Sequence, residues 1–238
     1  MKNVWEKLDP SVGVLDLDLN AVNIHNVKHR GTKFELRVEK GMLPEPYQGH
    51  VDSAKVIFLM LNPCFDETDK KFYANKEYYD EVLDTINQDL DKEYQFSILH
   101  PKWSTSPASR YWRRQMGKYA EAISSIKGIS FEAGMKVVAN NIATVELFPY
   151  HSKNWTSTKS LMQIQSVKYS RYLAKKAIID TNKIVVCTRA IREWSMGNCD
   201  LTKFDASLLP TKRSKQSPSL GPGNVNEFDK IVEHIINQ

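Results

Sequence analysis

Apolar residues in this chain come in short unbroken runs, separated by longer stretches in which they recur every three or four positions. Lys55-Val56-Ile57-Phe58-Leu59-Met60-Leu61 is apolar throughout after its lysine and stops at Asn62-Pro63. A continuous run of that length is the pattern of a central strand buried on both faces. Lys183-Ile184-Val185-Val186-Cys187-Thr188 repeats it. Residues 137–155 begin as an apolar, β-branched run with Asn140 and Asn141 inside it, which predicts a third buried strand. That run breaks at Pro149 into a polar, aromatic loop, with Glu146 just before the break and Tyr150, His151, Ser152 and Lys153 after it. Lys33-Phe34-Glu35-Leu36-Arg37-Val38 alternates as a short strand does. Helices are predicted from about Asn75 to Asp91, from Ser109 to Ile126, from Ser157 to Ile179 and from Asn224 to Ile236. Residues 95–107 and 197–223 carry the prolines, glycines and serines of loops. Strands alternating with helices imply a three-layer α/β fold, a mostly parallel four-stranded sheet with helices on both faces. Neither a repeat nor a linker interrupts the chain, so 1–238 is expected to be one domain, with 1–43 as an N-terminal extension packed on it.

With 238 residues, 41% of them hydrophobic, there is enough apolar material for a sizeable core. No apolar run approaches the roughly 20 residues needed to span a bilayer, so no membrane association is expected. Met1 to Asp18 lacks the basic and apolar blocks of a signal peptide. Cys64, Cys187 and Cys199 have no metal-type spacing, and so sparse a set suits a reducing cytoplasm, with Cys187 packed in the core. A net charge of +5 permits an anionic partner such as nucleic acid without requiring one.

In an open parallel sheet, ligands bind beyond the carboxyl ends of the strands. Asn62 stands at one such end, where its amide can face a water or a base edge, with Asp66, Glu67 and Asp69 close behind; Asn-Pro is also an ordinary turn. A buried asparagine must find partners for one oxygen and two hydrogens. Strand alternation turns Asn141 outward to read a pyrimidine edge, unless it is satisfied within the core. Tyr150, His151 and Lys153 offer an aromatic, a base and a cation, or else an unremarked exposed loop. Arg110, Arg113 and Arg114 around Tyr111 and Trp112 suit phosphates and stacked bases, or else form the solvated face of an amphipathic helix. Lys212, Arg213 and Lys215 lead into a small-residue loop at a helix start, where backbone amides can hold a phosphate; Asn224 there can equally be the helix cap. Zinc spacings, phosphate loops, dinucleotide fingerprints and serine elbows are missing, and no metal or cofactor is expected. Asp66, Glu146 and His151 could be assembled into a metal-dependent nuclease, although no spacing demands it.

Taken together, these features resemble the uracil-DNA glycosylase superfamily over roughly residues 44–236. Pro44-Glu45-Pro46-Tyr47-Gln48-Gly49 looks like that superfamily's approach segment, and Val56 to Pro63 is similar to its first motif. Ser217-Pro218-Ser219 falls where its last motif is expected. Tyr111-Trp112-Arg113-Arg114 and Glu146 to Ser152 are closer to a divergent, poorly characterised bacterial group of that fold. The resemblance implies a uracil-DNA glycosylase-like fold and a protein that binds DNA, single-stranded or damaged. It would hydrolyse the N-glycosidic bond of a uracil-like or damaged base. Asn62 would position the attacking water, and Asn141 would recognise the base. Phe65, Phe72 or Tyr150 would stack on that base, and Arg110, Arg113, Arg114, Lys212, Arg213 and Lys215 would hold phosphates. His151 and Ser217 complete the expected catalytic set. Two departures stand out: Cys64 replaces the usual glycine after Asn-Pro, and Ser217 replaces the usual histidine or asparagine. Loss of one good donor to a developing anion costs about 2.7–4 kcal/mol. The alternative is therefore a catalytically inactive module on the same fold that binds nucleic acid, a nucleobase or a protein.

Overall fold

The structure, a computed structural model, describes residues 1–38, 41–156, 158–195, 219–225 and 227–237. In chain order, helix α1 is Asp16–His29, strand β1 is Tyr47–Gln48 and strand β2 is Val56–Met60. Helices α2 (Asp69–Tyr73), α3 (Lys76–Asn87), α4 (Pro107–Lys127) and α5 (Phe131–Asn141) lead into β3, Ile142–Glu146. After α6 (Gln165–Ile179) come β4 (Ile184–Cys187), the single turn α7 (Ile191–Trp194) and α8 (Phe228–Ile236).

The continuous apolar runs became central strands because both of their faces are covered. Along β2, Val56, Phe58 and Met60 enter one core with Met116, Tyr119 and Ile123 of α4, Val138 of α5 and Ile231 of α8. Ile57 and Leu59 enter the other, with Val22 of α1, Val82 of α3 and Leu173 of α6. Side chains two apart on a strand share a face, so one five-residue strand feeds two cores. Trp5, Val14, Leu36 and Leu43 of the first 43 residues belong to this second core.

The strand order is β1-β3-β2-β4. β2 runs parallel to β3, with Met60 opposite Glu146, and parallel to β4, with Val56 opposite Ile184. β1 pairs with β3 antiparallel. The fold is thus α/β with helices around a four-stranded sheet, but the sheet is of mixed orientation rather than mostly parallel. The antiparallel edge strand follows from the Pro44-Glu45-Pro46 segment, whose Pro46 carbonyl accepts from Glu146 N at 2.8 Å. Gly49 ends this strand at φ +76°, and a Cβ there would lie 2.7 Å from the Ile142 carbonyl, so only glycine allows the chain to pass.

Several expected elements differ: no helix was expected where α1 lies, α6 begins at Gln165 rather than Ser157, and α8 at Phe228 rather than Asn224. Lys33–Val38 is not a strand; Arg37 alone bridges to His151. The run beginning at residue 137 is the last turn of α5, and β3 starts only at Ile142. Ser130 caps α5 by accepting from Ala133 N, and Met135, Val138 and Ala139 line its buried side. Gly134 brings α5 against α4: a Cβ there would stand 2.2 Å from Ser124 Oγ and 2.6 Å from the Ala120 carbonyl. Tertiary packing of this helix face overrides the β preference of Val137-Val138.

Candidate functional site

A cavity of about 410 Å³ opens at the carboxyl ends of β2 and β3. The helices leading into β3, α4 and α5, lie on one sheet face, and α6, which leaves it, lies on the other. Adjacent strands whose connections diverge in this way leave a crevice between them, the usual ligand site of an open α/β sheet. Met60 and Asn62 line it from β2, Glu146 from β3 and Arg189 from just beyond β4. Glu45 and Gln48 enter from the approach segment, and His151 to Trp155 from the loop after β3. Tyr111 and Trp112, on the first turns of α4, form an aromatic wall.

The loops after β2 and β3 continue the parallel pairing past the strands. Phe148 N donates to the Leu61 carbonyl at 2.9 Å, Ser152 N to that of Pro63 at 3.3 Å, and Phe65 N to that of Ser152 at 3.2 Å. This framework fixes Asn62. Its Nδ2 donates to Pro63 O at 3.1 Å and to Ser152 Oγ at 3.0 Å, while Ser152 Oγ spends its own hydrogen on Asn154 O at 2.8 Å. Both neighbours are acceptors, so the amide nitrogen must face them. The amide oxygen of Asn62 is left over and accepts from no described group.

Glu146, 5% exposed, is the buried carboxyl of the cavity, and its Oε2 has no partner among the described residues. Burial pushes its carboxyl up to about 8; Arg189 opposes the shift and Glu45 adds to it. Gln48 Oε1 and Arg189 Nε are likewise buried, with no partner among the described residues. Ala190, at φ +59°, turns the chain immediately after Arg189 in a conformation that costs a non-glycine residue roughly 1–2 kcal/mol. Glu45 is satisfied: Tyr73 OH donates to Oε1 at 2.7 Å and Gln48 Nε2 to Oε2 at 2.9 Å. Asp69 accepts from Asp66 N at 2.8 Å; burial, with Glu45 nearby, pushes it up to about 6. The Cys64 thiol lines the cavity, and burial raises its pKa, so it is held neutral rather than as a nucleophilic thiolate.

Of the residues expected from the sequence, Asn62, His151, Ser152, Lys153, Asp66 and Glu146 meet at this cavity. His151 is not placed as a base. Its Nδ1 lies 3.1 Å from Cys64 O, and its Nε2 3.2 Å from Leu43 O and 3.5 Å from Glu45 Oε1, so both ring nitrogens face protein acceptors rather than the cavity. Asn141 is at the other end of the sheet: it closes α5, its Nδ2 donates to Val137 O at 2.8 Å, and it precedes β3 rather than ending it. Tyr150 is buried away from the cavity, donating to Asp18 Oδ2 at 2.8 Å and accepting from Leu15 N at 3.3 Å. Phe65 is also buried outside it, with Arg37, Lys70 and Lys153 ranged 5.1–5.9 Å from its ring. Phe72 packs on Tyr78. Tyr111, Trp112 and Trp155 supply the ring faces instead.

Arg110 and Arg114 are exposed, with Arg114 over the Tyr111 ring at 5.7 Å. Arg113 is committed to the fold through the Leu99 carbonyl, 2.7 Å away, and Glu132. Lys212, Arg213, Lys215 and Ser217 lie outside the described residues, as does Cys199. Asn224 does not cap a helix, since α8 begins at Phe228. Among the described residues, no three His, Cys, Asp or Glu side chains are grouped so as to hold a metal ion, so Asp66, Glu146 and His151 share a cavity without forming a metal centre. No described helix is long and apolar enough to cross a membrane.

Gln48 and Arg189 were not singled out from the sequence. Arg189 follows the apolar run ending at Thr188, so the strand-end rule that picks Asn62 reaches it too. No family model matches the chain, and no curated protein matches it.

Proposed function

We propose that this chain binds a nucleobase in the strand-end cavity and hydrolyses the N-glycosidic bond joining it to a DNA sugar, on a uracil-DNA glycosylase-like fold. The observation that carries the reading is the Asn62 amide. Its nitrogen is locked by two acceptors, and its oxygen remains as an acceptor in a cavity walled by Tyr111, Trp112 and Trp155. An oriented acceptor of this kind can hold one hydrogen of a water while the water's oxygen approaches the sugar carbon. The C–N bond breaks with its electron pair on the base, the water oxygen bonds to the sugar carbon, and the base nitrogen ends with the water's proton. Asn62 orients and takes no proton. The target base must leave its stack to reach such a cavity, and aromatic faces compensate for the lost stacking. Exposed Arg110 and Lys153 stand near the mouth, where both act on the carboxylate of Asp66, and suit the phosphates of a DNA strand. The free thiols Cys64 and Cys187 fit a reducing compartment such as the cytoplasm.

The test is base release from uracil-containing single- and double-stranded oligonucleotides, with wild type beside Asn62→Ala. Release that falls on the order of 100-fold in the variant is expected. Full activity in the variant would remove Asn62 from the mechanism. Cys64, whose side chain stands in the cavity where the superfamily has a glycine, favours a second reading: a binding module without turnover. Salt-sensitive DNA binding with no release from any substrate would establish that reading.

A further inference from the structure

Helix α1 keeps polar side chains inside and apolar ones outside, the reverse of an ordinary surface helix. Its buried residues are Asp18, Val22 and His25. Asp18 accepts from Tyr150 OH, Gln165 N and Ser166 N, and His25 Nε2 lies 2.8 Å from the Phe34 carbonyl oxygen. Polar anchors therefore seat the helix. Its apolar residues Leu17, Ile24 and Val27 face solvent, at 74%, 58% and 72% exposure. A single exposed apolar side chain is ordinary, but these are not scattered. With exposed Asn20 they occupy positions 17, 20, 24 and 27, and that alternation of three and four residues sets them in one line along the helix.

We propose that this line is the contact of a symmetric dimer, in which α1 packs antiparallel against α1 of a second copy of the chain. Charge selects that occupant. Exposed Asp16 opens α1 and exposed Arg30 closes it, both on one flank of the line, with exposed Asn23 midway between them. An antiparallel neighbour brings the partner's Arg30 to Asp16 and the partner's Asp16 to Arg30, so the contact gains two opposite-charge pairs. Asn23 meets its own copy near the two-fold axis, and an amide, being both donor and acceptor, pairs with itself. Within the line, Leu17 stands against the partner's Val27 and Ile24 against the partner's Asn20.

The alternatives match less well. A parallel pair would gather Lys28, His29 and Arg30 of both copies at one end, where like charges repel. An anionic lipid surface would meet Asp16, Asn20 and Asn23 together with the apolar residues, whereas a membrane-binding helix carries a cleaner apolar face. The 14 residues of α1 make a helix about 21 Å long, a small contact that suits a weak, concentration-dependent dimer. No residue of α1 lines the strand-end cavity, so the inference stands apart from the nucleobase reading.

The experiment is sedimentation equilibrium of the full chain from micromolar to millimolar concentration at low salt. Wild type is compared with Ile24→Glu plus Val27→Glu, with Arg30→Glu, and with Arg30→Glu plus Asp16→Arg. Thermal melts at the lowest concentration confirm that each variant folds. Wild type is expected to move from the mass of one chain toward that of two. Changing Ile24 and Val27, both exposed in the single chain, should leave the melt unchanged and weaken the dimer at least about tenfold. Arg30→Glu should weaken it about threefold, and adding Asp16→Arg should restore it, because the antiparallel contact alone sets position 16 against position 30. A single-chain mass at every concentration would overturn the proposal, as would a dimer indifferent to Ile24 and Val27. So would an Arg30→Glu dimer as tight as wild type, or one that Asp16→Arg fails to restore. Capture of the single chain by vesicles of anionic phospholipid, lost on changing Ile24 and Val27, would replace the dimer with a lipid surface.

Discussion

Replacing Glu146 by glutamine should make the protein's stability less sensitive to alkali, by an amount the structure fixes. Burial at the end of β3 raises the carboxyl from its ordinary 4.5 to about 8. Below about pH 4.5 both the folded and the unfolded chain hold this proton, and the group carries no penalty. As the pH rises toward 8 the unfolded chain releases the proton and the folded chain does not, so stability is lost across that window and no further above it. At about 1.4 kcal/mol per unit, the loss between pH 5 and pH 7 is about 2–3 kcal/mol. Glutamine has nearly the same shape and no proton to lose. The assay is urea unfolding of wild type and Glu146→Gln at pH 5 and pH 7, compared at a common m-value. Asp69, raised to about 6, contributes its own slope, but it is present in both proteins and cancels in the comparison. The expected result is a variant that gains about 2–3 kcal/mol relative to wild type on going from pH 5 to pH 7. A difference between the two proteins that is the same at both pH values would show that Glu146 is already ionised and paired at neutral pH, and would refute the reasoning.

Asp18 of α1 accepts from Tyr150 OH, Gln165 N and Ser166 N and so caps α6 from another element; Asp18→Ala should cost about 2–4 kcal/mol in chemical denaturation, and a loss under 1 kcal/mol would deny it that role. Gly134→Ala forces a methyl group against the Ala120 carbonyl and should destabilise by about 1–3 kcal/mol, measured as a lower unfolding midpoint. Arg110→Ala should reduce the salt slope of DNA binding by about one without altering stability, whereas Arg113→Ala should leave that slope unchanged and lower stability by about 1 kcal/mol; gel shifts at several salt concentrations, beside melts, separate the two.

The buried strands were legible because a two-sided burial environment leaves a composition that no amphipathic helix shows: β2 and β4 lie inside the runs 55–61 and 183–188. Helix α4 was legible from its apolar spacing, and its exact start is set by Ser106 capping Ser109 N with Pro107 in the first turn. The strand after it was misplaced by five residues. Val137-Val138 has the chemistry of a strand, and the decision for helix was made elsewhere, by the Ser130 cap and by the close seat that Gly134 gives α5 on α4. Residue β1 pairing carries almost no local signal, since two residues have no period and only their ladder to β3 defines them.

That displacement of one strand changes the chemistry of the site more than the fold. The strand-end principle was sound: Asn62, Glu146 and Arg189 follow or end β2, β3 and β4 and line one cavity. Applied with β3 starting at Ile142, it selects a buried carboxyl and leaves Asn141 at the far edge of the sheet, bonded back into its own helix. The arginine-rich first turns of α4 make the complementary point. Sequence spacing put three guanidinium groups and two aromatics together, but it cannot say which of them has a partner. Glu132 and the Leu99 carbonyl claim Arg113, and the aromatics Tyr111 and Trp112, rather than the arginines, turn toward the cavity. A side chain's role here follows from whether its polar atoms are already spent. By that criterion His151 and Tyr150, the most chemically suggestive residues of the loop, are structural, while Asn62, Gln48, Glu146 and Arg189 have polar atoms with no partner among the described residues.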